Sequence, residues 1–243
     1  MPVALVIEHA ASEGAGSLAR WLPAAGLELV TCRPYLGHPL PVDLAGYDAF
    51  VVLGGFEAAY DDDPRLAAEA GLLRAAVAVG LPTLGVCLGH QLLAAALGGT
   101  VRRHPRGLEK GAQTVRLLPA ATADELFGGL AVGEPLGVAQ FHGDEVSELP
   151  AGAVLLAESD HTRVQAFRVG AAAWGLQFHP EADADLVRGW AIASGVDPAT
   201  VLPAFLELDL EATWRPLFAR FADLARAGAG AGAGARAGAS APA

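Results

Sequence analysis

Apolar positions in the first hundred residues alternate between two patterns. Short, nearly continuous apolar runs at residues 3–7, 48–53 and 83–86, with a fourth at 27–31, read as strands of a sheet buried on both faces. Residues 17–25, 64–79 and 88–97 read as helices. In the second of these, Leu66, Ala70, Leu73 and Val77 recur at helical spacing behind Pro64. Asp61, Asp62 and Asp63 stand where the acids of a helix N-terminus belong. Strands alternating with helices predict a parallel sheet covered on both faces. In such sheets, sites form beyond the carboxyl ends of the strands.

After Gly99 the pattern changes. Residues 112–118, 136–141, 154–157, 165–169 and 173–178 are short strand candidates separated by turns, which predicts an antiparallel addition completing the sheet. Residues 124–127 read as one helical turn, and 184–194 and 210–227 as C-terminal helices. Residues 1–227 are expected to form one domain. Residues 228–243 are Ala/Gly-rich, offer nothing to bury in a core, and are expected to be a disordered tail.

Composition adds limits. The chain has 243 residues, enough for a substantial core, and its apolar fraction of 53% owes much to alanine. The stretch 75–101 carries no formal charge, but Gly80, Pro82, Gly85, Gly89, His90, Gln91, Gly98 and Gly99 interrupt it. It reads as the centre of the sheet and not as a membrane span. The net charge of −11, with no basic run, argues against nucleic acid as a direct partner. The two cysteines, Cys32 and Cys87, suggest neither a disulfide framework nor a metal pattern. The first eight residues lack a basic segment and reach an acid at Glu8, so they do not read as a signal peptide. A reducing, cytoplasmic setting is expected.

The candidate chemistry centres on Gly85-Val-Cys-Leu-Gly89. A strand runs into Cys87 and a helix leaves it with no loop between. Glycines two residues to either side allow a tight reversal that lifts the thiol out of the fold. The helix that starts at Leu88 directs its free N–H groups at the sulfur, a setting that suits a nucleophile and an oxyanion. A buried structural cysteine is the competing reading. Gln91 lies one helical turn further on.

A catalytic cysteine needs a base and an acid from elsewhere in the chain. Gln177-Phe-His-Pro-Glu181 supplies both. Pro180 biases His179 toward an extended conformation, and side chains at i and i+2 of an extended segment share a face. Glu181 can then reach one nitrogen of the His179 ring, as the orienting acid does for a catalytic base.

These two stretches together resemble the class I, triad-type glutamine amidotransferase domain, and are similar to stand-alone members related to the glutaminase part of GMP synthase. Val51-Val-Leu-Gly-Gly55 resembles the family's oxyanion-strand loop, with Phe56 where related domains often carry proline. Phe141-His-Gly-Asp144 resembles the segment bordering the glutamine pocket. The resemblance implies a flavodoxin-like three-layer α/β sandwich with a mixed, mainly parallel central sheet. It implies Cys87, His179 and Glu181 as catalytic residues, Gly55 and Leu88 as oxyanion donors, and Gln91, Phe141, His142 and Asp144 as substrate contacts. L-glutamine or another γ-glutamyl compound would be the substrate. The partner it suggests is a separate synthetase subunit, and no metal or organic cofactor is called for. A γ-glutamyl peptidase would use the same residues, and the alternative of a non-catalytic binding module is opposed by the retained Cys87, His179 and Glu181. His9, His38, His90, His104 and His161 match no motif and receive no role.

Overall fold

A computed structural model describes residues 1–193 and 195–238. The parallel half of the sheet contains β1 (Val3–Ile7), β2 (Glu28–Cys32), β3 (Ala49–Val52) and β4 (Thr83–Val86), with α1 (Leu18–Ala24), α2 (Pro64–Val79) and α3 (Leu88–Ala96) between or after them. The segments that follow are β5 (Thr100–Arg103), β6 (Glu109–Leu117), β7 (Pro135–His142), β8 (Asp144–Glu148), β9 (Val154–Glu158), β10 (Ala166–Val169) and β11 (Ala173–Leu176). Helices α4 (Ala184–Ala193), α5 (Pro198–Leu206) and α6 (Leu210–Gly238) close the chain.

The main sheet has nine strands in the order β2-β1-β3-β4-β11-β10-β9-β6-β7. Pairing is parallel from β2 through β11 and antiparallel from β11 to β7. Strands β5 and β8 form a separate antiparallel pair. The period of two along each strand splits the core into two layers. Ala4, Val6, Val51, Val86 and Leu176 face Trp21 and Leu22 of α1 and Trp214, Phe218 and Phe221 of α6. Leu5, Ile7, Phe50 and Val52 face Leu66 and Leu73 of α2 and Leu88 and Leu92 of α3. This is the mixed three-layer α/β sandwich expected.

Helix α2 starts where its acids predict. Asp63 caps it, accepting from Arg65 N, and Gly80 ends it at φ 67°, which only glycine adopts at low cost. Several local expectations change. Residues 124–127 form a turn, and the helical piece is a 3₁₀ segment just before it, Pro119–Ala123. Asp124 Oδ1 accepts from the N–H groups of Leu126 and Phe127 and from Trp174 Nε1, which favours the turn over continued helix. Strands β5 and β8 carry charges at two of four and three of five positions and hide no apolar run. Helix α5, with Pro203 inside it, has no counterpart among the expected elements. Helix α6 continues through residues 228–238, into the segment expected to be disordered, and residues 239–243 lie outside the described residues. Ser194, expected to end α4, also lies outside them. Among the described residues no helix is long and apolar enough to cross a membrane.

Candidate active site

Strand β4 ends at Val86, and Cys87 follows with φ 52° and ψ −103°. Only Cys87 and Asp209 among the described non-glycine residues have positive φ. Such a conformation costs about 1–3 kcal/mol and persists only when its surroundings impose it. Here the Cys87 N–H donates to Leu176 O on β11 at 2.8 Å, and its carbonyl accepts from Gln91 N at 3.1 Å. A Cβ at Gly85 would fall 2.3 Å from Gly89 O, and one at Gly89 would fall 2.0 Å from Val52 O. The elbow is therefore tight enough that both flanking positions exclude any side chain.

His179 follows β11 and is pinned through its own backbone, its N–H donating to Ala139 O at 2.9 Å. Its Nδ1 lies 2.7 Å from Glu181 Oε1. Its Nε2 is buried and makes no strict hydrogen bond among the described residues, and Cys87 acts on the ring through both its charge and a hydrogen-bonding contact. Burial, the largest influence, pulls the His179 pKa down. Glu181 and Cys87 outweigh it and raise the pKa well above the usual imidazole value. The ring packs against Trp190 of α4 with centroids 4.5 Å apart, and Trp190 stacks on Phe141 at 5.6 Å.

Beyond β3, Gly54 and Gly55 approach both groups. A Cβ at Gly55 would lie 2.5 Å from Leu88 Cδ2 and 2.9 Å from His9 Cβ. The Leu88 N–H opens α3, where no carbonyl of the helix can reach it. The Gly54 carbonyl is held by His9 Nδ1 at 3.0 Å, and His9 Nε2 meets Glu69 Oε2 at 2.8 Å. Burial lowers the His9 pKa, but the Glu69 hydrogen bond and charge raise it overall. This pair from β1 and α2 fixes the loop from behind. Glu13 enters from the β1–α1 connection and is buried beside Gly54 and His179.

The remaining expected residues sit on the other side of Cys87. Phe141 O is 3.9 Å from Cys87 Sγ. Gln91 turns inward, its amide nitrogen donating to Asp144 O at 3.2 Å and Gln177 Oε1 at 3.1 Å. His142 is tied to Asp144 O at 2.8 Å and to the buried Glu109 at 3.0 Å, so its ring braces the β7–β8 turn. Asp144 Oδ1 lies 3.5 Å from Arg103 Nη1. His9, Glu13, Glu69 and Trp190 are not singled out by the sequence as site residues. No motif links them, and only the β1, α2 and α4 geometry brings them to His179 and Gly54.

The model of the glutamine amidotransferase class-I family matches residues 18–187, most of the chain and the whole stretch from α1 to His179 and Glu181. The chain belongs to the class-I glutamine amidotransferase family. It is 34% identical over 145 residues to γ-glutamyl peptidase 5 of Arabidopsis thaliana, a match covering 60% of this chain and 58% of that one. It is 41% identical over 102 residues to the glutamine-hydrolysing GMP synthase subunit of Saccharolobus solfataricus, covering 42% of this chain and 51% of that one. These matches thus span between about half and six-tenths of the relatives' length. A glutamine amidotransferase of Thermotoga maritima has the same fold, with a TM-score of 0.80 and 29% identity over 91% of this chain and 98% of that one. The family is one of cysteine-dependent amidotransferases and hydrolases.

Proposed function

We propose that the chain hydrolyses the γ-amide of L-glutamine and delivers the ammonia to an acceptor or a separate synthetase subunit. The observation that carries this reading is one buried imidazole placed between two groups. His179 Nδ1 is engaged by Glu181 at 2.7 Å while the same buried ring takes the influence of Cys87 on the strained elbow. Cys87 gives its proton to His179 and attacks the carboxamide carbon. The N–H groups of Gly55 and Leu88 hold the oxyanion. His179 then protonates the departing ammonia, leaving a γ-glutamyl thioester on Cys87. Water, activated by His179, cleaves the thioester and releases glutamate. Glu181 keeps the ring in the productive tautomer. Gln91, Phe141, His142 and Asp144 shape the wall that receives the amino-acid end of the substrate.

A second reading is hydrolysis of another γ-glutamyl amide. Similarity to γ-glutamyl peptidases favours it. So does an apolar cavity of about 170 Å³ next to the site, whose walls include Phe141, Trp190, Val201 and Phe205. Both readings use the same thioester. Purified protein assayed with glutamine and with γ-glutamyl dipeptides separates them. Ammonia release in preference to amino-acid release supports the first, and the reverse supports the second.

A further inference from the structure

Glu13 lies on the connection between β1 and α1, and that connection is fastened at four points. Ala15 N donates to Glu8 Oε1, Glu13 N to Ala10 O, Ser17 N to Glu181 O, and Trp190 Nε1 to Ser12 O. The result is a carboxyl group that is 5% exposed. It shares one small space with the catalytic base. A Cβ built on Gly54 would lie 2.5 Å from Glu13 Oε2 and 3.2 Å from His179 Cε1. The Nδ1 of the His179 ring is engaged by Glu181 and Cys87 acts on the same ring, while Gly54 borders both the Cε1 edge of the ring and the Glu13 carboxylate.

We propose that Glu13 is a positioning residue for His179: its carboxylate, which borders Gly54 as the Cε1 edge of the ring does, stabilises the imidazolium formed when the thiol gives up its proton, so that the ring remains able to protonate the departing amine. The proposal rests on the reading of Cys87 as nucleophile and His179 as base. The polar and titratable groups facing Glu13 are His179 and Glu181 after β11, Trp190 of α4, and His9 at the end of β1, itself paired with Glu69 of α2. Glu8, near the same loop, is committed to Arg33 at 2.7 Å. Burial, chiefly, raises the Glu13 pKa to about 7, against the pull of His179 and with the push of Glu181. Glu13 therefore acquires its charge near neutrality, and that charge holds the His179 proton against rising pH.

The test uses the full chain carrying Cys32→Ser, so that Cys87 is the only thiol. Iodoacetamide alkylation of Cys87 is followed from acid to alkaline pH in this protein and with Glu13→Gln or Glu13→Asp added. Thermal melts establish that each is folded. The alkaline inflection, at which His179 loses its proton, should fall by about one pH unit in Glu13→Gln, roughly a tenfold loss of imidazolium on that limb. Glu13→Asp, which keeps the charge, should recover at least part of the shift, which a merely structural role would not produce. Glutamine turnover should show the same displacement in kcat with KM unchanged. Coincident alkaline inflections in the parent and Glu13→Gln overturn the proposal. So does a loss in Glu13→Gln that is equal at every pH. A parent protein whose Cys87 reacts like an ordinary thiol, with no inflection from His179, overturns the nucleophile assignment as well, and this outcome differs visibly from the other two.

Discussion

Cys87 bears the strain of the site in its own backbone, and the chemistry proposed for it depends on a ring that arrives from more than ninety positions later in the chain. Cys87→Ser should therefore abolish turnover, measured as glutamate release, with the melting temperature nearly unchanged. Cys32→Ser should be close to silent, because Cys32 lies on β2, away from Cys87 and His179, and its thiol donates to Pro39 O. Positioned proton transfer contributes about 10²–10⁴ in rate, so Glu181→Gln, which leaves the ring in place, should cost less than Cys87→Ser. Glu13 carries a separate prediction about stability. Its pKa is raised from 4.5 to about 7, so between these values the folded state binds a proton that the unfolded state has lost. Stability then falls as pH rises through that window, by on the order of 3 kcal/mol. Glu13→Gln should melt higher than wild type at pH 8 and about equally at pH 4, by calorimetry. Equal melting differences at both pH values would remove this account of Glu13. Cys87, His179 and Glu181 were legible in the sequence because the elbow is a local geometry and the histidine and the acid stand two residues apart, although the structure brings Glu181 to the ring through a turn at Pro180 and not through an extended segment. Glu13 and His9 were not, since nothing in the residues around them specifies which strand end they will face.

At the level of elements, the site depends on β3, β4 and α3 lying closer together than side chains permit. Gly89→Ala sets a methyl 2.0 Å from Val52 O, a backbone atom that cannot rotate aside. The expected cost is on the order of 3 kcal/mol, about 10 °C of melting temperature for a chain of this size, with loss of Cys87 reactivity. A melt within a degree or two of wild type would show that the elbow is looser than described. Strands β1, β3 and β4 were legible as continuous apolar runs because both their faces are buried, whereas β2, at the sheet edge, exposes Glu28 and Val30. Strands β5 and β8 were not, because each presents charges such as Arg102, Arg103, Glu145 and Glu148. The Ala/Gly-rich end illustrates the opposite limit. Alanine is the strongest helix former, so the composition that offers no core still permits α6 to run on. Among the residues whose burial is described, the last buried position of α6 is Ala225, so deletion of residues 228–243 should leave the melting temperature and turnover unchanged. A drop of several degrees would show that the end of α6 contributes packing.

Across the whole molecule, the parallel half of the sheet gathers the ends of β1, β3, β4 and β11 into one crevice, and the antiparallel half supplies the wall from β7. His9, Gly54, Cys87 and His179 each follow one of those parallel strands. Order of segments was enough to anticipate this gathering, because ligand sites in open α/β sheets form at the carboxyl ends. What the order of segments does not encode is the packing of α4, whose Trp190 closes the back of the His179 ring. Turnover depends on every later step of the proposed reaction as well as on the thiol, so it is an indirect measure of the chemistry at Cys87. Covalent labelling is more direct. A diazo-ketone analogue of glutamine should modify folded wild-type protein at neutral pH in a one-to-one ratio. Peptide mass analysis should place the adduct on Cys87, and excess glutamine should prevent it. Folded protein that is not labelled, or that is labelled on Cys32 with no protection by glutamine, would contradict the assignment of Cys87 as the nucleophile of a glutamine site.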